Sequence, residues 1–363
     1  MHITKIKLIR FRNYETLDLQ IKDPGLNIIY GKNAQGKTNL LEAVHICANG
    51  KSFRVRSDSK TIKEGSDKAY ISVEYSKSGR KNTAEVLIGR DRRKSFKQNG
   101  IPVQTMKEML GHLLVVVFSP EDIKTAKESP GLRRAFLDGE ISKIRPSYVD
   151  ALKKYGAIIA QKNAAIRKSR GKDVSEILRA FNVQLKEYIR VILKNRRVYM
   201  EKLNEYVQKT HSVISGGKEK IEAAYRQTIR EDDIEGQLEA LIEREQREFS
   251  CVAGPHRDDV EFMINGRAAQ EYASQGQLRT MMLSLKIACL HILGDSAGHK
   301  PVLLLDDVFS ELDADRKASL LKSIAGLQTF ITTTGGTELT QGTGIRVTAG
   351  QAKVTNKKIK GKS

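Results

Sequence analysis

Apolar and polar positions alternate with a period of two over residues 2–10 and again over 16–21, on either side of a short polar turn, which predicts two half-buried strands. The apolar run at 26–30 predicts a third, buried strand. Short alternating stretches at 69–76, 83–89 and 94–98, punctuated by Ser-Gly, Gly-Arg and Asn-Gly pairs, predict an antiparallel meander. Residues 51–56 lie between these patterns and are too polar for a core. From 119 to about 248 strand periodicity gives way to steps of three and four. Val174, Leu178, Phe181, Leu185, Tyr188, Ile192, Tyr199, Leu203 and Tyr206 form one stripe with a gap at Asn195. A continuous helix over 173–215 would be on the order of 60 Å long, ended by the turn Ser215-Gly216-Gly217. Further helices are expected over 147–169 and 232–248. Strand and helix then alternate: a strand at 261–264, a turn at Asn265-Gly266, a helix over 278–293, and strands at 302–305 and 329–333. The pattern predicts one α/β lobe in two pieces, 1–118 plus 249–350. A helical insert occupies 119–248, and a lysine-rich flexible tail 351–363.

The chemistry begins where the strand at 26–30 ends. Residues 31–39 read Gly31-Lys32-Asn33-Ala34-Gln35-Gly36-Lys37-Thr38-Asn39, a complete G-x-x-x-x-G-K-[ST] phosphate-binding loop. Gly31 and Gly36 allow backbone N–H groups to approach phosphates. Lys37 can reach the β- and γ-oxygens, and Thr38 can ligate Mg2+. The helix that follows adds its positive end to the anion site. Strand, loop and helix arrive in the order a nucleoside triphosphate site requires.

Two further segments complete a hydrolytic constellation. PVLLLDDVFSELD at 301–313 is a buried strand ending in two acids. Asp306 is expected to hold the magnesium, directly or through water, and Asp307 to polarise the attacking water. Ser274-Gln275-Gly276-Gln277 precedes the helix at 278–293, so Ser274, Gly276 and Gln277 form a second positive helix end. Read alone, Ser274 is also an ordinary helix N-cap. One nucleotide does not need two such ends so far apart in the chain. A head-to-tail homodimer, each subunit capping the other's γ-phosphate, uses both.

Taken together, these residues resemble the ABC-type ATPases of chromosome maintenance, and among them the bacterial RecF family. The resemblance rests on Phe11-Arg12-Asn13-Tyr14, GKNAQGKTN at 31–39, VVFSPED at 116–122, Pro130-Gly131-Leu132-Arg133-Arg134 leading to Phe136-Leu137-Asp138, Gly254-Pro255-His256-Arg257-Asp258-Asp259, SQGQ at 274–277 and LLLDDVFSELD at 303–313. It implies an ATP- and Mg2+-dependent dimer that binds double-stranded DNA at gaps and junctions. It also implies partners among recombination mediator proteins of the RecR/RecO type, which load recombinase on single strands. Three departures from the wider ABC pattern point toward slow hydrolysis. Asp307 stands where a glutamate is usual, and Thr332-Thr333-Thr334 where a histidine is usual. Ser119, Glu121 and Asp122 occupy the place of the glutamine that links magnesium to the second lobe.

Composition adds a partner class. Lys and Arg number 63 against 43 Asp and Glu, a formal charge of +20, which predicts attraction to a polyanion. The densest basic clusters are Lys51/Arg54/Arg56, Arg90/Arg92/Arg93/Lys94, Arg133/Arg134, Arg167/Lys168/Arg170/Lys172 and Lys194/Arg196/Arg197; each also reads as a solvated face. The absence of tryptophan disfavours base stacking on single strands and favours contacts to the duplex backbone. Arg10 or Arg12 could touch nucleotide or lie on the surface. The loop 254–259 could support the nucleotide site through Arg257 or join an ion-pair network between lobes; no second His or Cys cluster completes a metal site. Cys47, Cys251 and Cys289 form no C-x-x-C pair and read as buried thiols in a reducing, cytoplasmic setting. No run approaches a membrane span, so no membrane partner is expected. A nuclease- or motor-linked ATPase of the same superfamily would need helicase motifs or an added acidic cluster. A transporter ATPase subunit would lack the linking glutamine and switch histidine, and would leave the charge unexplained.

Overall fold

The computed structural model describes residues 1–91, 94–309, 312–335 and 342–358. Arg92 and Arg93 of one basic cluster, Ser310 and Glu311 of the acidic segment, and residues 359–363 of the expected tail lie outside them. In chain order the strands are β1 (His2–Phe11), β2 (Tyr14–Gln20), β3 (Leu26–Tyr30), β4 (Lys68–Lys77), β5 (Arg80–Gly89), β6 (Ser95–Gln98), β7 (Ile101–Val103), β8 (Val115–Phe118), β9 (Ile221–Arg226), β10 (Asp259–Ile264), β11 (Arg267–Ala268), β12 (Val302–Leu305), β13 (Thr329–Thr333), β14 (Thr343–Thr348) and β15 (Gln351–Lys358). The chain divides into two compact units. The first comprises Met1–Ile123, Lys209–Glu219 and Ser274–Ser363, the second Lys124–Gln208 and Lys220–Ala273.

The first unit holds two sheets with the helix Lys37–Asn49 packed in a shared core. The antiparallel meander runs β2-β1-β4-β5-β6-β7. Alternation in its strands turns Ile6, Leu8, Ile71, Val73, Val86 and Ile88 toward Leu40, Leu41 and Val44 of the helix. Ser78-Gly79 and Asn99-Gly100 each adopt positive φ at consecutive residues, as tight hairpin turns require. The other sheet runs β15-β14-β3-β13-β12-β8, parallel from β14 to β8. The inner strands β12 and β13 and the edge strand β8 are buried at every position, which explains the unbroken apolar character of β8 and β12 in sequence. The strand entering the phosphate loop, β3, is therefore separated from the acidic strand β12 by β13 alone.

The second unit contains the sheet β11-β10-β9 and the helices Pro130–Ile144 and Pro146–Lys168. The long helix Ser175–Ser215 is continuous over 41 residues and crosses the division at Gln208. Its expected stripe is buried at Leu178, Leu185, Ile192 and Leu203. The gap at Asn195 is where Arg196 turns inward instead.

Several expectations are corrected. Strands do not vanish between 119 and 248: β9 pairs antiparallel with β10 along its whole length. Its Ala223-Ala224 centre has little β propensity, so pairing rather than local preference sets the strand. That pairing places 249–273 with the helical unit, where the sequence pattern had put it with the α/β lobe; residues 209–219 move the other way. The helix expected over 232–248 is two short ones, Ile234–Ala240 and Ile242–Arg247. The tail is a strand as far as Lys358, with Ala352 buried against Val347 across the β14–β15 hairpin. Frequent lysine masked an alternating pattern whose apolar members are only Ala352 and Val354. In the stretch judged too polar for core, Ser52 is buried and donates to Glu42.

Candidate nucleotide site

The phosphate loop is held by two segments distant in sequence. Tyr14 Oη donates to the Gly36 carbonyl at 3.0 Å, and Asn13 Nδ2 donates to the Gln35 carbonyl at 2.8 Å. Asn13 Oδ1 accepts from Asn39 Nδ2 at 2.9 Å. From the β14–β15 turn, Gly350 N–H donates to the Gln35 carbonyl at 3.2 Å and Ala349 N–H to Gln35 Oε1 at 2.6 Å. These supports explain the loop's glycines. A Cβ at Gly31, where φ is +150°, would lie 2.3 Å from the Val347 carbonyl oxygen; one at Gly36, where φ is +115°, would lie 2.7 Å from Asn13 Oδ1.

Within this frame Lys37 Nζ donates to the carbonyls of Gly31 at 2.6 Å and Lys32 at 2.9 Å. Burial lowers the Lys37 pKa, opposed by the charges of Asp307 and Asp306. Thr38 Oγ1 donates to Asp306 Oδ1 at 2.8 Å, so the residues expected to hold magnesium meet across 268 positions of sequence. The same Asp306 oxygen accepts from Thr332 Oγ1 at 2.7 Å, and Thr332 Oγ1 accepts from the Asp307 N–H at 2.9 Å. Burial raises the Asp306 pKa and these two hydroxyls pull it back. Asp307 follows with φ of +50°, the left-handed region that non-glycine residues avoid.

These groups line an open cavity of about 880 Å³, a size typical of small-molecule clefts. Asn33, Ala34, Gly36, Lys37, Thr38, Asn39, Asp306 and Asp307 border it; Gly31, Lys32 and Gln35 complete the loop without lining it. A hydroxyl and a carboxylate oxygen in contact, beside an ammonium, are a donor set suited to Mg2+ on a phosphate oxygen. Arg12, Arg54, Lys63, Glu64, Thr332 and Thr334 also line the cavity; of these, the sequence offers no nucleotide role for Arg54, Lys63 and Glu64. Arg12, left open between nucleotide and surface, is anchored: Nε and Nη2 pair with the two oxygens of Glu42 at 2.8 and 2.6 Å. Glu42 lies one turn beyond Thr38 on the same helix, where an inward-facing acid could have signalled a partner.

Ser274, Gly276 and Gln277 are not among the lining residues. Ser274 Oγ accepts from Gln277 N–H at 3.2 Å while Gln277 Oε1 accepts from Ser274 N–H at 2.9 Å, a capping box at the start of the helix Gln275–Ala297. Both Ser274 and Gly276 are exposed. Gln277 Nε2 also donates to Glu219 at 3.0 Å, and Glu219 meets the buried His211 at 3.2 Å. Ser119, Glu121 and Asp122 do not reach the cavity either; Asp122 pairs with Lys286 at 2.8 Å.

The loop 254–259 serves the second unit. Arg196, 2% exposed, pairs with Asp138 at 3.0 Å and Asp258 at 3.2 Å, and donates to the Pro255 carbonyl at 2.8 Å. Arg133 holds both oxygens of Asp259 at 2.8 Å. His256 Nδ1 meets Tyr155 Oη at 2.6 Å, and burial pushes the imidazole down to about 4. Arg257 Nε donates to the Cys251 carbonyl at 3.3 Å. The network lies within one unit, in place of the expected support of the nucleotide or bridge between lobes. It also removes Arg133 and Arg196 from the basic surface.

The family model described as RecF/RecN/SMC N terminal domain matches residues 2–357. The chain is 39% identical over 346 residues to the DNA replication and repair protein RecF of Clostridium perfringens (strain 13 / Type A), covering 94% of this chain and 95% of the relative. It belongs to the RecF family. A RecF of Clostridium novyi (strain NT) is 40% identical over 340 residues, covering 92% and 93%. Among solved structures, this RecF-family chain superposes with a TM-score of 0.89 and 35% identity on one described as the recombination mediator protein RecF-ATP in RecFOR pathway, covering 98% of this chain and 97% of the other. An Smc head bound to the C-winged helix domain of ScpA shares the fold, with a TM-score of 0.58 and 17% identity over 98% and 97%. The RecF family thus places the chain among the SMC-like ABC-type ATPases.

Proposed function

We propose that this chain is an ATP-gated clamp on duplex DNA in recombinational repair and replication, closing as a homodimer on ATP and reopening on slow hydrolysis. The observation that carries the reading is the split of the site. Lys37, Thr38, Asp306 and Asp307 share one cavity, whereas Ser274 and Gly276 stand exposed away from it. A second subunit is the economical way to bring a Ser274 helix end to a γ-phosphate.

In this reading the phosphates replace the Gly31 and Lys32 carbonyls as partners of Lys37 Nζ. The loop N–H groups and the end of the helix Lys37–Asn49 bind the remaining phosphate oxygens. Thr38 and Asp306 would hold Mg2+, which would supply charge neutralisation on the transferred phosphoryl group. Asp307 orients the attacking water, and as an acid one methylene shorter than glutamate it does so slowly, suiting a switch. The charge of +20 supports binding to the DNA backbone. The related structures described as RecF in the RecFOR pathway support ATP as the nucleotide and RecR/RecO-type proteins as partners; gapped or junction DNA is what the resemblance of the motifs implies.

Ser274→Arg tests the reading, because a bulky cation there leaves the Lys37 site complete. Monomer ATP binding should persist, whereas Lys37→Met should abolish it. Sedimentation with ATP and duplex DNA should show no dimer and weaker, less salt-dependent DNA retention. A Ser274→Arg dimer as stable as the parent's would reduce Ser274 to a helix cap and remove the basis of the clamp.

A further inference from the structure

We propose that Thr332 is the positioning residue that sets both site aspartates at once. Its hydroxyl sits at the end of β13, the one strand between the phosphate-loop strand and the acidic strand, in register with Ile29 of β3 and one residue past the Leu305–Ile331 pair. It is 1% exposed, yet it borders the cavity. A backbone N–H can only donate, so Thr332 Oγ1 must accept from Asp307 N–H at 2.9 Å. Its single proton is then committed to Asp306 Oδ1 at 2.7 Å. One rotor therefore fixes a carboxylate and the next peptide together.

The two contacts have different consequences. On Asp306, Oδ1 accepts from both Thr332 and Thr38, so the two hydroxyls fix the carboxylate that would hold a metal. Of the two hydroxyls, only Thr38 is itself expected at the metal, so Thr332 is the contact that can persist unchanged when Mg2+ is held. On Asp307, the Thr332 oxygen satisfies the N–H of a residue whose φ is +50°. Asp307 in that conformation borders the cavity. Sequence comparison with ABC enzymes flags the threonines at 332–334 as replacing a histidine; the geometry gives Thr332 the separate task of holding the acids in place.

Thr332→Val keeps the shape of the side chain and removes both contacts; Thr332→Ser restores them. Binding of a fluorescent ATP analogue is measured in EDTA, then with Mg2+ titrated in, alongside kcat and KM for ATP. The valine variant should match the parent in EDTA and in KM. It should need roughly 10-fold more Mg2+ for the metal-dependent change in binding and lose about 10- to 100-fold in kcat, the usual range for groups that orient metal ligands. Serine should recover most of both. Parent-like Mg2+ dependence and turnover in Thr332→Val, or a serine variant as impaired as valine, overturns the assignment. Should the valine variant lose binding in EDTA, Thr332→Cys replaces it, with the same split expected and parent-like values overturning it. The inference rests on the ATPase reading, and the two fail differently. A parent with no Mg2+-dependent ATP turnover overturns both, whereas an active parent with an equally active Thr332→Val overturns this one alone.

Discussion

Arg12→Leu separates the two roles that the Phe11-Arg12-Asn13-Tyr14 segment combines, framing the phosphate loop and holding its helix. Glu42 is fully buried, and Arg12, 18% exposed, meets both its oxygens. Removing one partner of a buried ion pair costs about 3–5 kcal/mol, because the other charge is left uncompensated. Here the Ser52 hydroxyl remains at 2.5 Å and Arg54 at 3.6 Å. The loss should therefore fall near the lower limit, about 3 kcal/mol. For a unit of this size that corresponds to a fall of roughly 6–12 °C in Tm. Differential scanning calorimetry on Arg12→Leu, Glu42→Gln and the double variant measures it. With the acid neutralised, the arginine is missed far less, so the double variant should be more stable than the sum of single losses implies, by about 2 kcal/mol. Strict additivity, or a loss below about 1 kcal/mol in Arg12→Leu, would show that Glu42 does not depend on Arg12. Arg12 would then be free for a ligand.

Asp307→Asn keeps the shape of the side chain and loses its charge, so it should bind ATP, lower turnover at least roughly 10-fold and accumulate as dimer on DNA. Steady-state phosphate release checks the first effect and sedimentation the second; unchanged turnover would move the water-orienting role to another group. His256 gives a pH dependence confined to the second unit. Its folded value near 4 lies below the ordinary 6.5, so the native state prefers the neutral ring. The associated stability is complete above about pH 6.5 and drains away as pH falls toward 4, up to about 3 kcal/mol. His256→Gln should flatten that limb of the stability–pH curve, and an unaltered limb would assign it to other groups.

How much was legible in the sequence follows from how local each feature is. The phosphate loop, the acidic strand and the helix start at Ser274 were readable as local elements because each is a contiguous string. The long helix was readable because its stripe repeats over many turns. What joins these strings was not. Thr332 meets Asp306 and Asp307 only because β13 runs between β3 and β12, a strand order that no local pattern encodes. Arg12 and Glu42 are 30 positions apart, and neither announces the other. The loop 254–259 offered a histidine and two acids in a row, which looks like chemistry until Arg196, Arg133 and Tyr155 are placed around it. β9 and β15 escaped notice because alanine and lysine dominate positions whose structure is set by the partner strand.

The fastening of Gln35 by Asn13 and by the turn at Ala349-Gly350 bears on when this protein becomes competent during its synthesis. The phosphate-binding string leaves the ribosome well before one of its clasps, which is made some three hundred residues later. A nascent chain halted before the β14–β15 hairpin would carry every letter of the motif and lack the backbone contacts that keep the loop open. Triphosphate capture would thus await the β14–β15 hairpin, and a bound nucleotide would in turn hold that hairpin against unfolding.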